Sequence, residues 1–78
     1  MTDTPDGLRD WTSDLAAALG VQEDVPITEL LNVTRDVAHG VTRPAGPVTT
    51  YLIGRAVAQG LPLEQAIAVV QARIAEQP

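Results

Sequence analysis

Cysteine and lysine are both absent from this 78-residue chain, and only two side chains, Trp11 and Tyr51, are aromatic. Without cysteine the fold can hold no disulfide bond, and no thiolate is available as a nucleophile or metal ligand. Without lysine, all side-chain positive charge other than that of one histidine rests on five arginines, which are outnumbered by ten carboxylates and leave a net charge of −5. The chain is therefore expected to be a small, acidic, largely aliphatic domain.

The negative charge is concentrated in the first half of the chain. Residues 1–39 hold eight acidic residues and two arginines, a net of −6, whereas residues 40–78 hold two and three, a net of +1. Binding to nucleic acid or to an anionic membrane surface depends on neutralising phosphates. The acidic half therefore argues against both kinds of partner, and it is also the kind of surface that keeps a small domain in solution.

Long apolar runs are missing as well. No uninterrupted apolar stretch approaches the about 18 residues that a membrane-spanning helix requires. The first six residues are polar and acidic, unlike the basic start and apolar run of a signal peptide. We therefore expect a cytoplasmic location.

Strand patterns are nearly absent, whereas apolar residues recur at helical spacing throughout. The pattern predicts a disordered tail over residues 1–5 and one domain over residues 6–76, with helices at about 6–19, 26–39, 47–59 and 62–76. Because the connections are short, consecutive helices are expected to pack as antiparallel neighbours. The predicted fold is an all-α, single-domain four-helix bundle.

Prolines and glycines predict where these helices begin and end. Thr4 or Asp6 could cap the first helix through a side-chain oxygen. Prolines suit the first turn of a helix, and glycines suit the left-handed residue that ends one. The prolines in question are Pro26, Pro47 and Pro62, and the glycines are Gly20, Gly40 and Gly60.

Three packing expectations follow from the apolar positions. The first predicted helix has a stripe made of Leu8, Trp11, Leu15 and Leu19, and Trp11 is expected to anchor it in the core. The third is apolar almost all round, which predicts a central helix. Gly54 within it would be explained by the close approach of another backbone.

The polar side chains that stand out lie around the connection between the second and third helices. Arg35 and His39 share one face of the second helix, and Arg43 lies just past its end. The third helix begins nearby, where free amides and partial positive charge favour anions. One hypothesis is therefore an anion or ligand site formed by Arg35, His39, Arg43, Thr49, Thr50 and the first amides of the third helix.

Two other interpretations of the same residues remain open. Arg35 and His39 complement the dipole at a helix C-terminus, Arg43 could bind carbonyls there or pair with Asp36, and a threonine could cap the third helix. These residues would then form a structural clasp that fixes the angle between two helices. The third interpretation is a protein contact.

Catalysis has little support in the sequence. A single histidine with no cysteine and no serine in an elbow motif provides no nucleophile system. His39 and Asp36 supply at most two metal ligands, so no metal site is predicted. We expect a domain that is not an enzyme and holds no resident cofactor.

Residues 35–54 carry a recognisable pattern. It consists of Arg35-Asp36-Val37-Ala38-His39-Gly40-Val41, Arg43-Pro44-Ala45, Pro47, Thr49-Thr50 and Gly54. This pattern resembles an uncharacterised family of small actinobacterial helical domains, and the tryptophan-bearing start extends the resemblance to about residues 8–75. Gly46 departs from the pattern, which has alanine there, and could loosen the elbow without altering the site.

Members of that family stand alone or follow a molybdenum-cofactor guanylyltransferase domain in one chain. The resemblance implies an accessory role in the biosynthesis of molybdopterin guanine dinucleotide or in its delivery. The implied partners are the guanylyltransferase or a molybdoenzyme, and the implied ligands are molybdopterin or a guanine nucleotide. The alternative is a general protein-interaction or homodimerisation module without a small ligand.

Overall fold

The computed structural model describes residues 7–78, which form four α-helices. In chain order they are α1 (Leu8–Leu19), α2 (Ile27–Gly40), α3 (Ala45–Ala58) and α4 (Leu63–Ala75). Residues 7–78 contain no strand, so the prediction of an all-α, four-helix fold is confirmed. No helix in this part of the chain combines the length and apolar character needed to cross a membrane.

Each helix begins and ends within two residues of its predicted range. The predicted tail over residues 1–5 and the predicted caps Thr4 and Asp6 lie outside the described residues. The residue that precedes α1 is Gly7, which has φ of 81° and makes no side-chain cap.

Two of the three glycines predicted to end a helix in the left-handed conformation are confirmed. Gly20 has φ of 75° and Gly60 has φ of 109°, values that favour glycine over other residues. After Gly20, the amide of Val21 donates to the carbonyl of Ala16 at 2.9 Å, which closes α1 in a Schellman-type turn. The amide of Leu61 does the same to Ala56 at 3.1 Å after α3.

The prediction that Gly40 ends α2 in this conformation is wrong. Gly40 is the last residue of α2, and it is not among the glycines with positive φ. Its role is spatial, because a Cβ at this position would collide with Cγ2 of Ile74 on α4. The absence of a side chain therefore lets the last turns of α2 and α4 approach each other.

Gly54 is a second glycine whose predicted role is wrong. We expected another backbone close to it, but a Cβ there would meet nothing within 4 Å, and the residue is exposed. Helix packing therefore does not explain this glycine.

The core is formed where α2, α3 and α4 meet. Its buried members are Val33 and Val37 from α2, Ile53 from α3 and Ala66 from α4. Partly buried aliphatic side chains surround them, namely Ala45, Val57, Leu61, Leu63, Ile67, Val70 and Ile74. Within residues 7–78 no polar or charged residue is buried.

The apolar character of α3 predicts a central helix, but one side of α3 is exposed to solvent. Gly46 and Ile53 are buried, but Val48, Tyr51 and Leu52 are 61%, 67% and 60% exposed. The helix therefore places one side against α2 and α4 and leaves the other side, equally apolar, in contact with solvent.

α1 differs from the other three helices in that it buries no residue. Trp11 is 61% exposed and Leu19 is 69% exposed, so the expectation that Trp11 anchors the core is wrong. Amphipathic spacing identified the apolar face of α1 correctly, but in the isolated chain that face does not pack against the other helices.

Candidate functional site

Polar side chains follow the outer face of α2. Asn32, Arg35, Asp36 and His39 are all exposed, and Nη2 of Arg35 donates to Oδ1 of Asn32 at 3.1 Å. Arg35 and His39 each lie two residues from buried Val37, which on a helix means about 160° around the axis. The structure therefore brings Arg35 and His39 together on one stripe that faces away from the core.

Arg43 lies in the turn between α2 and α3 and is exposed. The clasp hypothesis required its guanidinium to bind helix-end carbonyls or to pair with Asp36. Within residues 7–78, no side-chain hydrogen bond and no ion pair involves Arg43. The ion pair found in this part of the chain joins Arg73 and Glu76. Arg43 therefore does not act as a clasp in this structure.

The first two amides of α3 already donate to carbonyls of the preceding turn. The helix begins at Ala45 rather than Pro47, because Pro44 already has the helical values φ −63° and ψ −17°. The amide of Ala45 donates to the carbonyl of Thr42 at 3.1 Å, and that of Gly46 to Arg43 at 3.0 Å. Pro47 has no amide hydrogen. The amides of Ala45 and Gly46 are therefore not available to the predicted anion site.

The two threonines do not join the arginines. Oγ1 of Thr50 donates to the carbonyl of Pro47 at 2.9 Å, a bond within α3 rather than a cap at its start. Thr50 lines a groove of about 390 Å³, together with Leu30, Ile53 and Leu63. Thr49, its neighbour, is half-buried.

Thr50 thus lies on the inner side of α3, whereas His39 lies on the outer side of α2. The five predicted site residues are therefore distributed over different surfaces. Arg35, His39 and Arg43 are not among the lining residues of the four pockets described for residues 7–78.

Gly46 also differs from its expected role. It is buried in the first turn of α3, and a Cβ there would lie 3.0 Å from Cγ2 of Thr34 on α2. The glycine lies against α2 instead of loosening the elbow.

Two further pockets, of about 590 and 520 Å³, lie between α1 and residues 20–27. Both include the adjacent carboxylates Glu23 and Asp24 in their walls. Within residues 7–78 no group of three or more histidine, aspartate or glutamate side chains is placed to hold a metal ion.

The feature that the sequence analysis missed is an exposed apolar surface on α3 and α4. Val48, Tyr51, Leu52 and Arg55 follow one face of α3 at helical spacing, and all four are exposed. Val69 on α4 is 57% exposed and shares the wall of a shallow depression with Leu52. We call Val48, Tyr51, Leu52, Arg55 and Val69 the α3–α4 patch.

A signal for this patch was present in the sequence. α3 has more apolar residues than one core-facing side can use, which is compatible with burial on all sides or with a second, intermolecular contact. The presence of Arg55 within the outer stripe argues against burial on all sides, because an arginine is costly to bury without a partner.

Residues 3–78 match the family described as Domain of unknown function (DUF6457), and the chain belongs to that family. No curated protein and no solved structure matches the chain.

Proposed function

We propose that this DUF6457 member is a non-catalytic protein-binding domain that contacts its partner through the α3–α4 patch and serves molybdenum cofactor maturation. The observation that supports it most is the exposure of Val48, Tyr51, Leu52 and Val69 on one side of the molecule. Monomeric proteins rarely leave so many large apolar side chains together unless the surface binds something.

The composition of the patch also supports a protein partner. Interfaces are enriched in aromatic residues and arginine and depleted in lysine and acidic residues relative to the remaining surface. The patch contains Tyr51 and Arg55 and no acidic residue, although the chain as a whole has twice as many acidic residues as arginines. Tyr51 is the natural centre of such an interface, since tyrosine is frequent among residues that contribute most to binding.

The link to molybdenum cofactor rests on the resemblance of residues 35–54 to the actinobacterial domain that can follow a guanylyltransferase in one chain. Under this proposal the partner is the molybdenum-cofactor guanylyltransferase or a molybdoenzyme, and the domain acts in the cytoplasm. Arg35 and His39 on α2, and Arg43 in the turn after it, would make a separate polar contact with the partner and mainly affect the association rate.

The geometry favours a protein over a free nucleotide as the ligand. A phosphate at the start of α3 would meet amides that already donate to Thr42 and Arg43. We therefore expect millimolar GMP to leave Tm unchanged. A reproducible rise in Tm with GMP or molybdopterin, lost in Arg35→Ala, would instead support a ligand site on α2.

The decisive test is binding to the purified guanylyltransferase of the same organism by isothermal titration calorimetry. Tyr51→Ala is expected to weaken binding at least tenfold, as residues at an interface centre do. Val41→Ala is the matched control, because Val41 is 47% exposed but lies outside the patch. Arg35→Ala and Arg43→Ala are expected to lower affinity only a few-fold, with an effect that diminishes as salt is added.

Two results would contradict this proposal. One is the absence of binding to the guanylyltransferase and to molybdoenzymes. The other is binding that survives Tyr51→Ala but is abolished by Arg35→Ala, which would place the contact on α2.

A further inference from the structure

The single tryptophan of the protein lies on a helix whose apolar side faces outward. Leu8, Trp11, Leu15 and Leu19 form this side, which we call the α1 stripe. Ser13 and Ala16 of α1 line two pockets together with Glu23 and Asp24 of the following connection, and no residue of the α1 stripe lines either pocket. The α1 stripe therefore lies outside the two pockets that α1 forms with this connection.

A depression borders the α3–α4 patch, with which it shares Leu52 and Val69. Its volume is about 160 Å³, and its walls are formed only by aliphatic residues, namely Leu52, Ile53, Ala56, Leu61, Ala66, Val69 and Val70. An apolar cavity of about 150 Å³ holds a benzene ring. The depression is open at the surface, so one face of an aromatic ring can pack against its aliphatic wall.

We propose that Trp11 of one copy of this chain inserts into the α3–α4 depression of a second copy, and that the reverse contact forms at the same time, giving a two-fold symmetric dimer. The contact joins two different surfaces, so it closes into a dimer only when it is reciprocal. Both surfaces belong to the same chain, and each is apolar and exposed.

Charge complementarity selects this pairing over the alternatives. α1 contains Asp10 and Asp14 and one arginine, a net of −1, whereas Arg55 is the sole charged residue of α3. Placing the α1 stripe on α3 brings these opposite charges near each other. An antiparallel pair of α1 helices would instead place Asp14 near its own copy, which is unfavourable.

The available surface is sufficient for a weak dimer. α1 and α3 have 12 and 14 residues, so their lengths of about 18 and 21 Å match. Covering the α1 stripe and the α3–α4 patch removes on the order of 600 Å² per copy, given the size of these side chains. Two copies then reach the lower end of specific interfaces, which begin at about 1,200 Å² in total.

This inference goes beyond the proposed function, since it requires no second protein. The two proposals share the α3–α4 patch but are measured separately, one by binding to the guanylyltransferase and the other by self-association. If both hold, dimerisation and partner binding compete for Leu52 and Val69.

The test is sedimentation velocity together with tryptophan emission, from about 1 μM to about 1 mM protein. The expected result is a concentration-dependent rise to dimer mass, with the emission maximum shifting to shorter wavelength over the same range. Trp11→Ala and Val69→Asp, placed on opposite sides of the contact, should each weaken self-association at least tenfold. Val41→Asp, an exposed valine outside both surfaces, is the matched control and should leave it unchanged.

A mixing experiment identifies the contact itself. The Val69→Asp variant retains Trp11, and the Trp11→Ala variant retains an intact depression. Adding Trp11→Ala protein to Val69→Asp protein should therefore restore the emission shift, because the tryptophan of one variant can bind the depression of the other. The double variant Trp11→Ala/Val69→Asp offers no depression and should produce no shift. Circular dichroism of each variant verifies that its helices are formed.

Several outcomes would overturn the dimer. A monomer whose emission stays unchanged up to millimolar concentration is one. Wild-type self-association that Trp11→Ala leaves intact is another. A short-wavelength emission that does not vary with concentration would mean that Trp11 is covered by its own chain, and equal shifts with the single and double variants would place the contact elsewhere.

Discussion

α1 and α2 are both amphipathic helices, yet only α2 buries its apolar side within the chain. α2 buries Val33 and Val37 between α3 and α4, whereas α1 buries none of its residues. Apolar spacing specifies which side of a helix leaves water, but it does not specify the surface that will cover that side. For α2 that surface belongs to the same chain, and for α1 we infer that it belongs to another molecule.

The largest effect on stability is expected from a cavity in the core that α2, α3 and α4 form together. Ile53 is 3% exposed, and Ile53→Ala should lower the free energy of unfolding by about 2–5 kcal/mol, because a cavity remains between three helices. Urea denaturation followed by circular dichroism measures this loss. A loss near zero would mean that the three helices rearrange, so that the core described here is not the stabilising one.

The contact between α2 and α4 at Gly40 should have the next largest effect. Gly40→Ala places a methyl group against Cγ2 of Ile74, and we expect a loss of about 1–3 kcal/mol as the two helices separate. Ile74→Leu removes that branch methyl, so the double variant should lose less than the sum of the two single changes. Additive losses would show that the two residues do not touch.

Gly54 provides a change of the opposite sign. A Cβ at this position meets nothing within 4 Å, so Gly54→Ala should stabilise α3 by about 1 kcal/mol through helix propensity alone. Gly60→Ala is the matched control, because its φ of 109° is strained for alanine and should make that variant less stable. A destabilised Gly54→Ala variant would reveal a neighbour that the isolated chain does not contain.

The smallest effect is expected on α1. Leu19→Ala removes a side chain that is 69% exposed, and at micromolar concentration or below it should change stability by less than about 0.5 kcal/mol. The measurement is again urea denaturation, beside Ile53→Ala. A loss similar to that of Ile53→Ala would mean that α1 packs on its own core, and the contrast between α1 and α2 would disappear.

Local signals were sufficient for the number of helices and nearly all of their ends. Proline near the start and glycine after the end act within one turn of the chain, so Gly20 and Gly60 could be assigned from sequence. Gly40 could not, because its role depends on Ile74, which is 34 positions away in sequence and adjacent only after folding. A glycine required for space and a glycine required for backbone conformation look identical in a sequence.

The candidate site likewise combines features that depend on local sequence with features that depend on how the helices pack. The exposed stripe of Arg35 and His39 follows from helical spacing and was predictable. The separation of Thr50 from that stripe was not, since it depends on which side of α3 packs against Leu30 and Leu63. The engagement of the Ala45 and Gly46 amides was not predictable either, because the sequence predicts a helix start at Pro47, whereas α3 begins at Ala45 and the preceding turn accepts both hydrogen bonds.

The outward position of the α1 stripe has an evolutionary consequence. Residues inside a core are held by selection for folding, whatever the protein binds. Since Trp11 and Leu19 contribute little to folding, mutation would remove them over time unless binding retained them. Their persistence or loss among relatives would therefore record the history of an interaction, separately from the history of the fold.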